Sequence, residues 1–292
     1  MQDYPIQIPL GGLAVKEDGP GTLQSINLRP YGKGLRSILA PKALYDLQAE
    51  WPFPQLLRLG GNVFATTKDA IYRVNSGLLQ PLLGDIPNAG YPWSGAIVGD
   101  YLVFVNNKVV VTGRSTLAID TSGKIPTGIA ICTVAGSQLV IAAPWAYGEW
   151  HYHSVIWSRV GSVDFIVDKS NVSAVRHAQC GQVLSVKPFY KKTLTGLKFS
   201  FMAFGTDGVS SFMAADLPAV FSTKKISDVG IYSQLAVSGE DDLIYYVGTN
   251  GVLFSATDGD IKEVGYKRSF GAARGELVLS YNALDKELWV GM

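Results

Sequence analysis

An all-β fold, a β-propeller of about six blades, is what this chain of 292 residues predicts. Three observations carry the prediction. An apolar hairpin pattern recurs six times, with turn centres near residues 61, 99, 136, 196, 239 and 285 that lie 38, 37, 60, 43 and 46 residues apart. A repeat of about forty residues is the spacing of propeller blades. Most copies continue into a second hairpin, so each holds the three or four short antiparallel strands of one blade. The 32 glycines fit an architecture dense in turns. The competing architecture is a pair of β-sandwiches whose spacing coincides.

The elements follow in chain order. Residues 1–50 read as an N-terminal arm, with strand-like runs at Gln7-Ile8-Pro9-Leu10 and Arg36-Ser37-Ile38-Leu39. A short helix is expected from Pro41 to Glu50, where Ala43, Leu44 and Leu47 share a face before Trp51-Pro52 ends the run. Residues 51–292 read as the propeller. Its first hairpins are Leu56–Leu59 into Val63–Thr66, Ala96–Val98 into Tyr101–Val105, and Ala130–Val134 into Leu139–Ile141. They continue with Phe189-Tyr190 into Leu197–Phe201, Leu235–Val237 into Leu243–Val247, and Leu277–Leu279 into Leu288–Val290. Second hairpins are marked by Lys68-Asp69, Asn106-Asn107, Asp207-Gly208 and Asn250-Gly251, residue types that tolerate the positive φ of tight turns. The last copy stops at Gly291-Met292, two strands into its blade, so N-terminal strands are expected to complete it and cover an otherwise bare sheet edge. The long interval implies an insertion near residues 144–180 on one face of the repeat.

Composition narrows the function classes. Hydrophobic residues make up 47% and charged residues 17%, which fits either a well-filled β core or an outer surface covered by other protein. A net charge of +1 gives no bulk attraction for nucleic acid, although Arg29, Lys33, Arg36 and Lys42 form a local basic group that could still touch DNA. Cys132 and Cys180 form no disulfide framework and are expected to be reduced and buried. There is no charged-then-apolar leader and no apolar run of bilayer length, so no membrane contact is expected.

Catalytic signatures are weak. His151 and His153 would share a face if they lay on a strand, and with His177 or Glu149 they could hold a metal; the competing reading is an aromatic loop with polar tips. A glycosidase would need two convergent carboxylates, but Asp100, Asp164, Asp207 and Asp241 all read as turn residues. No nucleophile elbow, phosphate loop or dinucleotide fingerprint is present. No catalytic residue, metal or cofactor is therefore expected, and the chain is not expected to be an enzyme. Trp145, Tyr147, Trp150, Tyr152 and Trp157 are the candidate contacts with another subunit or partner, because exposed aromatic rings are costly in water.

Several phrases carry a family resemblance: Ile26-Asn27-Leu28-Arg29-Pro30-Tyr31-Gly32-Lys33-Gly34-Leu35-Arg36, Asp69–Leu79, Phe204-Gly205-Thr206-Asp207-Gly208-Val209 and Asp216-Leu217-Pro218. The most telling is Trp157-Ser158-Arg159-Val160-Gly161 followed by Asp164-Phe165. Together they resemble the propeller-type nozzle, or packaged-DNA stabilisation and head-closure, proteins of tailed and especially short-tailed bacteriophages. The resemblance implies a structural virion protein forming a ring of six copies below portal and adaptor, in transient contact with passing double-stranded DNA. It implies residence in the virion tail or head–tail junction after synthesis in a host cytoplasm. The rival expectations are a receptor- or glycan-binding propeller using the tract from Trp145 to Trp157, and a propeller glycoside hydrolase.

Overall fold

The computed structural model describes residues 28–31, 34–37, 55–75, 78–87, 92–165, 175–193, 196–215, 220–240, 242–257, 260–265, 267–270, 277–282 and 287–291. Strands β1 (Leu28–Tyr31) and β2 (Gly34–Ser37) form a hairpin of their own. Five four-stranded antiparallel sheets follow. Blade 1 comprises β3 (Gln55–Leu59), β4 (Asn62–Thr66), β5 (Ile71–Asn75) and β6 (Leu78–Leu83). Blade 2 comprises β7 (Ser94–Val98), β8 (Tyr101–Val105), β9 (Val110–Gly113) and β10 (Leu117–Ile119).

Blade 3 begins with β11 (Ala130–Val134) and β12 (Gln138–Ala142). A two-stranded hairpin of β13 (Trp145–Ala146) and β14 (Glu149–Trp150) then interrupts it before β15 (Ser154–Trp157) and β16 (Arg176–His177) complete the sheet. Blade 4 comprises β17 (Val183–Thr193), β18 (Gly196–Gly205), β19 (Gly208–Ala214) and β20 (Phe221–Ser227). Blade 5 comprises β21 (Val237–Glu240), β22 (Leu243–Val247), β23 (Leu253–Thr257) and β24 (Asp260–Gly265). One helical turn, α1 (Lys267–Phe270), leads to the paired strands β25 (Val278–Asn282) and β26 (Glu287–Gly291) of blade 6.

The blades are a consequence of period-two patterning on strands buried on both faces. Leu102 and Phe104 of β8 pack with Phe64 and Ile71 of blade 1, while Val103 and Val105 pack with Ile131, Leu139 and Ile141 of blade 3. Val140 and Ala142 turn the other way, onto Val186, Phe201 and Phe212 of blade 4. Met202 and Phe204 alternate again onto Ile244 and Tyr246 of blade 5, and Val247 and Leu253 meet Leu277 and Leu279 of blade 6. Five apolar interfaces therefore join six sheets in sequence order. Each buried side chain of this size contributes roughly 1.5–3 kcal/mol.

The first strands β3, β7, β11, β17, β21 and β25 pack side by side in that order, which is the inner wall of a propeller. Polar side chains on this wall tie one blade to the next. The Ser94 hydroxyl donates to the Ile131 carbonyl at 3.1 Å and accepts the Ile131 N–H at 3.0 Å. Thr133 Oγ1 donates to the Ile97 carbonyl at 2.7 Å, and the Tyr281 N–H donates to Ser238 Oγ at 2.8 Å. The fold is a β-propeller, as the six hairpins predict.

The six first hairpins are found where the sequence places them, except that Gln234–Ala236 forms a 3-10 turn ahead of β21. Among the second-hairpin turn residues positive φ is taken by Gly208 and Gly251 and not by Lys68, Asp69, Asn106, Asn107, Asp207 or Asn250; side chains hold two of these turns instead, Asn106 Oδ1 accepting the N–H groups of Lys108 and Val109, each at 2.9 Å, and Asn250 Oδ1 accepting from Val252 at 3.1 Å. Glycine is essential where backbones touch, as at Gly205, whose Cβ would lie 2.1 Å from the Cys180 carbonyl oxygen. Both cysteines are free and buried, and burial pushes each thiol up to about 12. The expected closing strand at Gln7–Leu10 and the expected helix at Pro41–Glu50 lie outside the described residues. Among the described residues β2 pairs with β1, and neither is paired with β25 or β26.

Candidate functional site

Neighbouring strands are antiparallel, so the turns joining first to second strands lie at one end of the blades and those joining second to third strands at the other. The β13–β14 hairpin sits between the second and third strands of blade 3, and so stands on the second of these faces. Its two-residue tip is Tyr147-Gly148, with φ of 55° and 86°. Consecutive positive φ values define the hairpin turn that matches strand twist. Glycine is at ease there, but a tyrosine in the left-handed region carries backbone strain.

The surrounding backbone holds that conformation. The Trp145 N–H donates to the Thr127 carbonyl at 2.9 Å, His151 to Pro144 at 2.9 Å, and Val183 to Tyr152 at 2.8 Å. Ala146 is buried beneath the hairpin. His151 Nε2 donates to the Ala146 carbonyl at 3.0 Å, closing the loop over its own tip.

On this frame the aromatic rings make two sets of contacts. Trp145 and Trp150 are cross-strand partners with an edge contact of 5.6 Å between ring centroids. Trp150 stacks on Tyr152 at 5.6 Å with planes 13° apart, and Tyr147 meets the His151 ring edge-on at 6.0 Å. Despite these contacts Trp145 and Tyr147 are 44% exposed and Tyr152 is 42% exposed. The hairpin is thus a rigid, solvent-facing aromatic surface, with the exposed Glu149 carboxylate 3.9 Å from His151 Nε2 at its edge.

Trp157 does not belong to this surface. It is 1% exposed and lies in the interface between blades 3 and 4, with its ring centroid 5.1 Å from that of Phe221 and 6.4 Å from that of Phe201. Alternation along β15 is the reason: Ile156 faces blade 2, so Val155 and Trp157 face blade 4.

The face that His151 and His153 would share on a strand does not form, because residues 151–153 form a turn, which agrees with the competing reading of an aromatic loop. His151 folds over the hairpin, whereas His153 stacks on His177 at 6.2 Å with planes 18° apart. His177 Nδ1 accepts the Gln179 N–H at 3.1 Å. Among the described residues no group of three or more His, Cys, Asp or Glu side chains could hold a metal ion.

Asp100 lies at a first-to-second turn, paired with Arg114 at 3.3 Å, and Asp207 at a second-to-third turn on the opposite face. These two carboxylates do not converge. Asp241 lies outside the described residues. Of the expected DNA-contact group, Arg29 and Arg36 are cross-strand partners in the β1–β2 hairpin, and Lys33 and Lys42 lie outside the described residues. No helix among the described residues is long and apolar enough to cross a membrane.

No protein-family model and no curated protein matches the chain in sequence. Among solved structures it is similar to the extracellular domain of a hybrid two-component system from B. thetaiotaomicron, at 13% identity and a TM-score of 0.48. That match covers 81% of this chain and 31% of the other, so the chain spans about a third of the sensor domain's length. It is also similar to a gluconolactonase from Xanthomonas campestris, at 8% identity and a TM-score of 0.45, covering 79% of this chain and 78% of that one. A third, a Ycf48 protein from Cyanidioschyzon merolae, has 9% identity and a TM-score of 0.34, covering 75% of this chain and 84% of that one. The assignment as a propeller stands on the six sheets and five interfaces of the chain itself.

Proposed function

We propose that this chain is a non-enzymatic structural protein of a tailed-bacteriophage virion, a propeller that packs side by side with its copies into a ring extending or sealing the DNA channel below portal and adaptor. The observation that carries the reading is the aromatic hairpin: Trp145, Tyr147 and Tyr152 are held in water by a locked backbone. Burying the part of each ring still in water recovers roughly 1 kcal/mol, and several such rings together suit an assembly contact. The phrase from Trp157 to Phe165 supports the virion context through its resemblance to phage nozzle proteins. A propeller's own hole is too narrow for a duplex, so DNA would pass along the axis of the ring, between subunits.

A glycan-binding role is favoured by a different detail, the near-parallel Trp150–Tyr152 stack with the Glu149 carboxylate nearby. Flat aromatic faces with a hydrogen-bond acceptor at the edge suit sugar rings. One experiment separates the two readings. The wild-type chain and a Trp145→Ser/Tyr147→Ser/Tyr152→Ser variant are each assembled with the cognate portal and adaptor and examined by native mass spectrometry and electron microscopy. The virion reading predicts a closed ring for wild type and unassembled monomer for the variant, with the same thermal transition for both. A wild-type chain that stays monomeric and binds an oligosaccharide through these residues overturns it.

A further inference from the structure

Blade 6 differs from the other five in its strand count. Among the described residues it holds two strands, β25 and β26, whereas blades 1 to 5 each hold four. In a complete blade the second strand is buried at its centre: Phe64, Val103, Val140, Phe201 and Tyr246, one from each of blades 1 to 5, are all 0% exposed. On β26, the second strand of blade 6, Trp289 is 50% exposed and Val290 is 37% exposed. Leu288 seats this strand on blade 5, and its outer side is left open.

The opening lies between blades 6 and 1. Leu57 and Leu59 of β3 pack toward blade 2, so Leu56 between them faces away from it, toward the side of blade 6. Leu288 packs toward blade 5, so Trp289 faces the other way, toward the side of blade 1. Leu56 is 73% exposed. Among the described residues no apolar cluster joins these two walls, whereas the other five junctions each have one. An open strand edge flanked by apolar side chains is a template for strand addition.

We propose that the β1–β2 pair of a neighbouring copy supplies the third and fourth strands of blade 6, so that each copy closes the propeller of the next. Two strands are needed, and β1–β2 is an antiparallel pair that joins no other sheet among the described residues, β25–β26 of its own chain included. Chain order fits as well. Taken as third and fourth strands, β1 and β2 lead on to β3, the first strand of blade 1, as β6 leads to β7 and β10 to β11. The link between Ser37 and Gln55 permits exchange, because residues 38–54 can extend to roughly 55–60 Å. That exceeds the diameter of about 45 Å of a compact domain of this size. Head-to-tail exchange of an identical element closes a ring at low cost, since each copy gives and receives the same contacts. The proposal rests on the ring reading above and gives it a contact distinct from the aromatic hairpin.

The test is cross-linking in an equal mixture of isotope-labelled and unlabelled full-length chains, both carrying Trp289→Cys coupled to a photoreactive maleimide. Cys132 and Cys180 are buried and stay unmodified. The mixture is examined after assembly with portal and adaptor and, in parallel, as the isolated chain at high concentration. Exchange predicts cross-links from position 289 to residues 28–37, half of them joining chains of different isotope. If Trp289→Cys does not fold, Val290→Cys reports on the same strand. Cross-links to residues 28–37 confined to one isotope overturn the proposal, because blade 6 is then closed by its own chain. Absence of any cross-link to that segment overturns it too. A ring with same-chain cross-links leaves the ring reading standing, whereas mixed cross-links in a chain that forms no ring support the exchange and remove the ring reading.

Discussion

Replacing Trp157 separates the two kinds of tryptophan in blade 3. Its ring fills the space between blades 3 and 4 and contacts Phe201, Phe212 and Phe221, with centroids 6.4, 6.5 and 5.1 Å away. Trp157→Ala empties that space, and large-to-small changes of this kind cost about 3–5 kcal/mol. Trp157 Nε1 is buried without a hydrogen-bond partner among the described residues. Trp157→Phe therefore removes an orphaned donor, which offsets about 1–3 kcal/mol of the lost packing, and should cost no more than about 1 kcal/mol net. Trp145→Ala, on the exposed hairpin, should fall within about 0.5 kcal/mol of wild type. Equilibrium urea unfolding followed by far-UV circular dichroism gives all three values. An unchanged midpoint for Trp157→Ala, or a loss at Trp145→Ala equal to it, would refute the assignment of one ring to the core and the other to the surface.

Other outcomes follow from the same interfaces. Cys132 and Cys180 should resist thiol reagents at pH 8 in the native protein and react on unfolding, since burial pushes both thiols up to about 12; rapid native labelling of either contradicts this. The same burial raises the Tyr246 phenol from 10.0 to about 12, with the hydrogen bond to Ser227 acting in the opposite direction. Unfolded chains lose these protons first, so stability is complete below pH 9 and falls as pH rises from 9 through 12. The slope is about 1.4 kcal/mol per pH unit for each titrating group, and Tyr246→Phe should flatten the fall above pH 10 in thermal melts. Gly205→Ala should abolish soluble expression or lower the melting temperature by several degrees, because its methyl group would meet the Cys180 carbonyl; a variant as stable as wild type would show that this approach relaxes freely.

The fold was readable because its signals are local. Turn residues such as Asn106 and Asn250 bond their own following N–H groups, and a short apolar run between turns, such as Leu102-Val103-Phe104-Val105, marks a strand buried on both faces. Long-range pairing was not readable. Both faces of a blade strand are apolar, so nothing beside Trp157 announced that it faces Phe221 and not solvent. A face shared by His151 and His153 required a strand, and the turn at residues 151–153 leaves the alternative of an aromatic loop with polar tips. The extra length of β17 and β18 is not legible in sequence, because it lies beyond the point where β19 stops pairing, a contact made 13 positions away at Ser200↔Met213. The aromatic tract, by contrast, was legible as a loop insertion dense in aromatic residues, and the structure adds the Tyr147-Gly148 turn, the hairpin and its exposure.

Electron cryomicroscopy of the particle in which the proposed ring would sit decides between ring and no ring. A virion role predicts a closed ring of this propeller below the portal and adaptor, with Trp145, Tyr147 and Tyr152 buried at the contact between neighbouring subunits or with an adjoining tail protein. A particle in which the chain is absent from the channel, or in which those three rings remain in solvent while other surfaces make the ring, would contradict it.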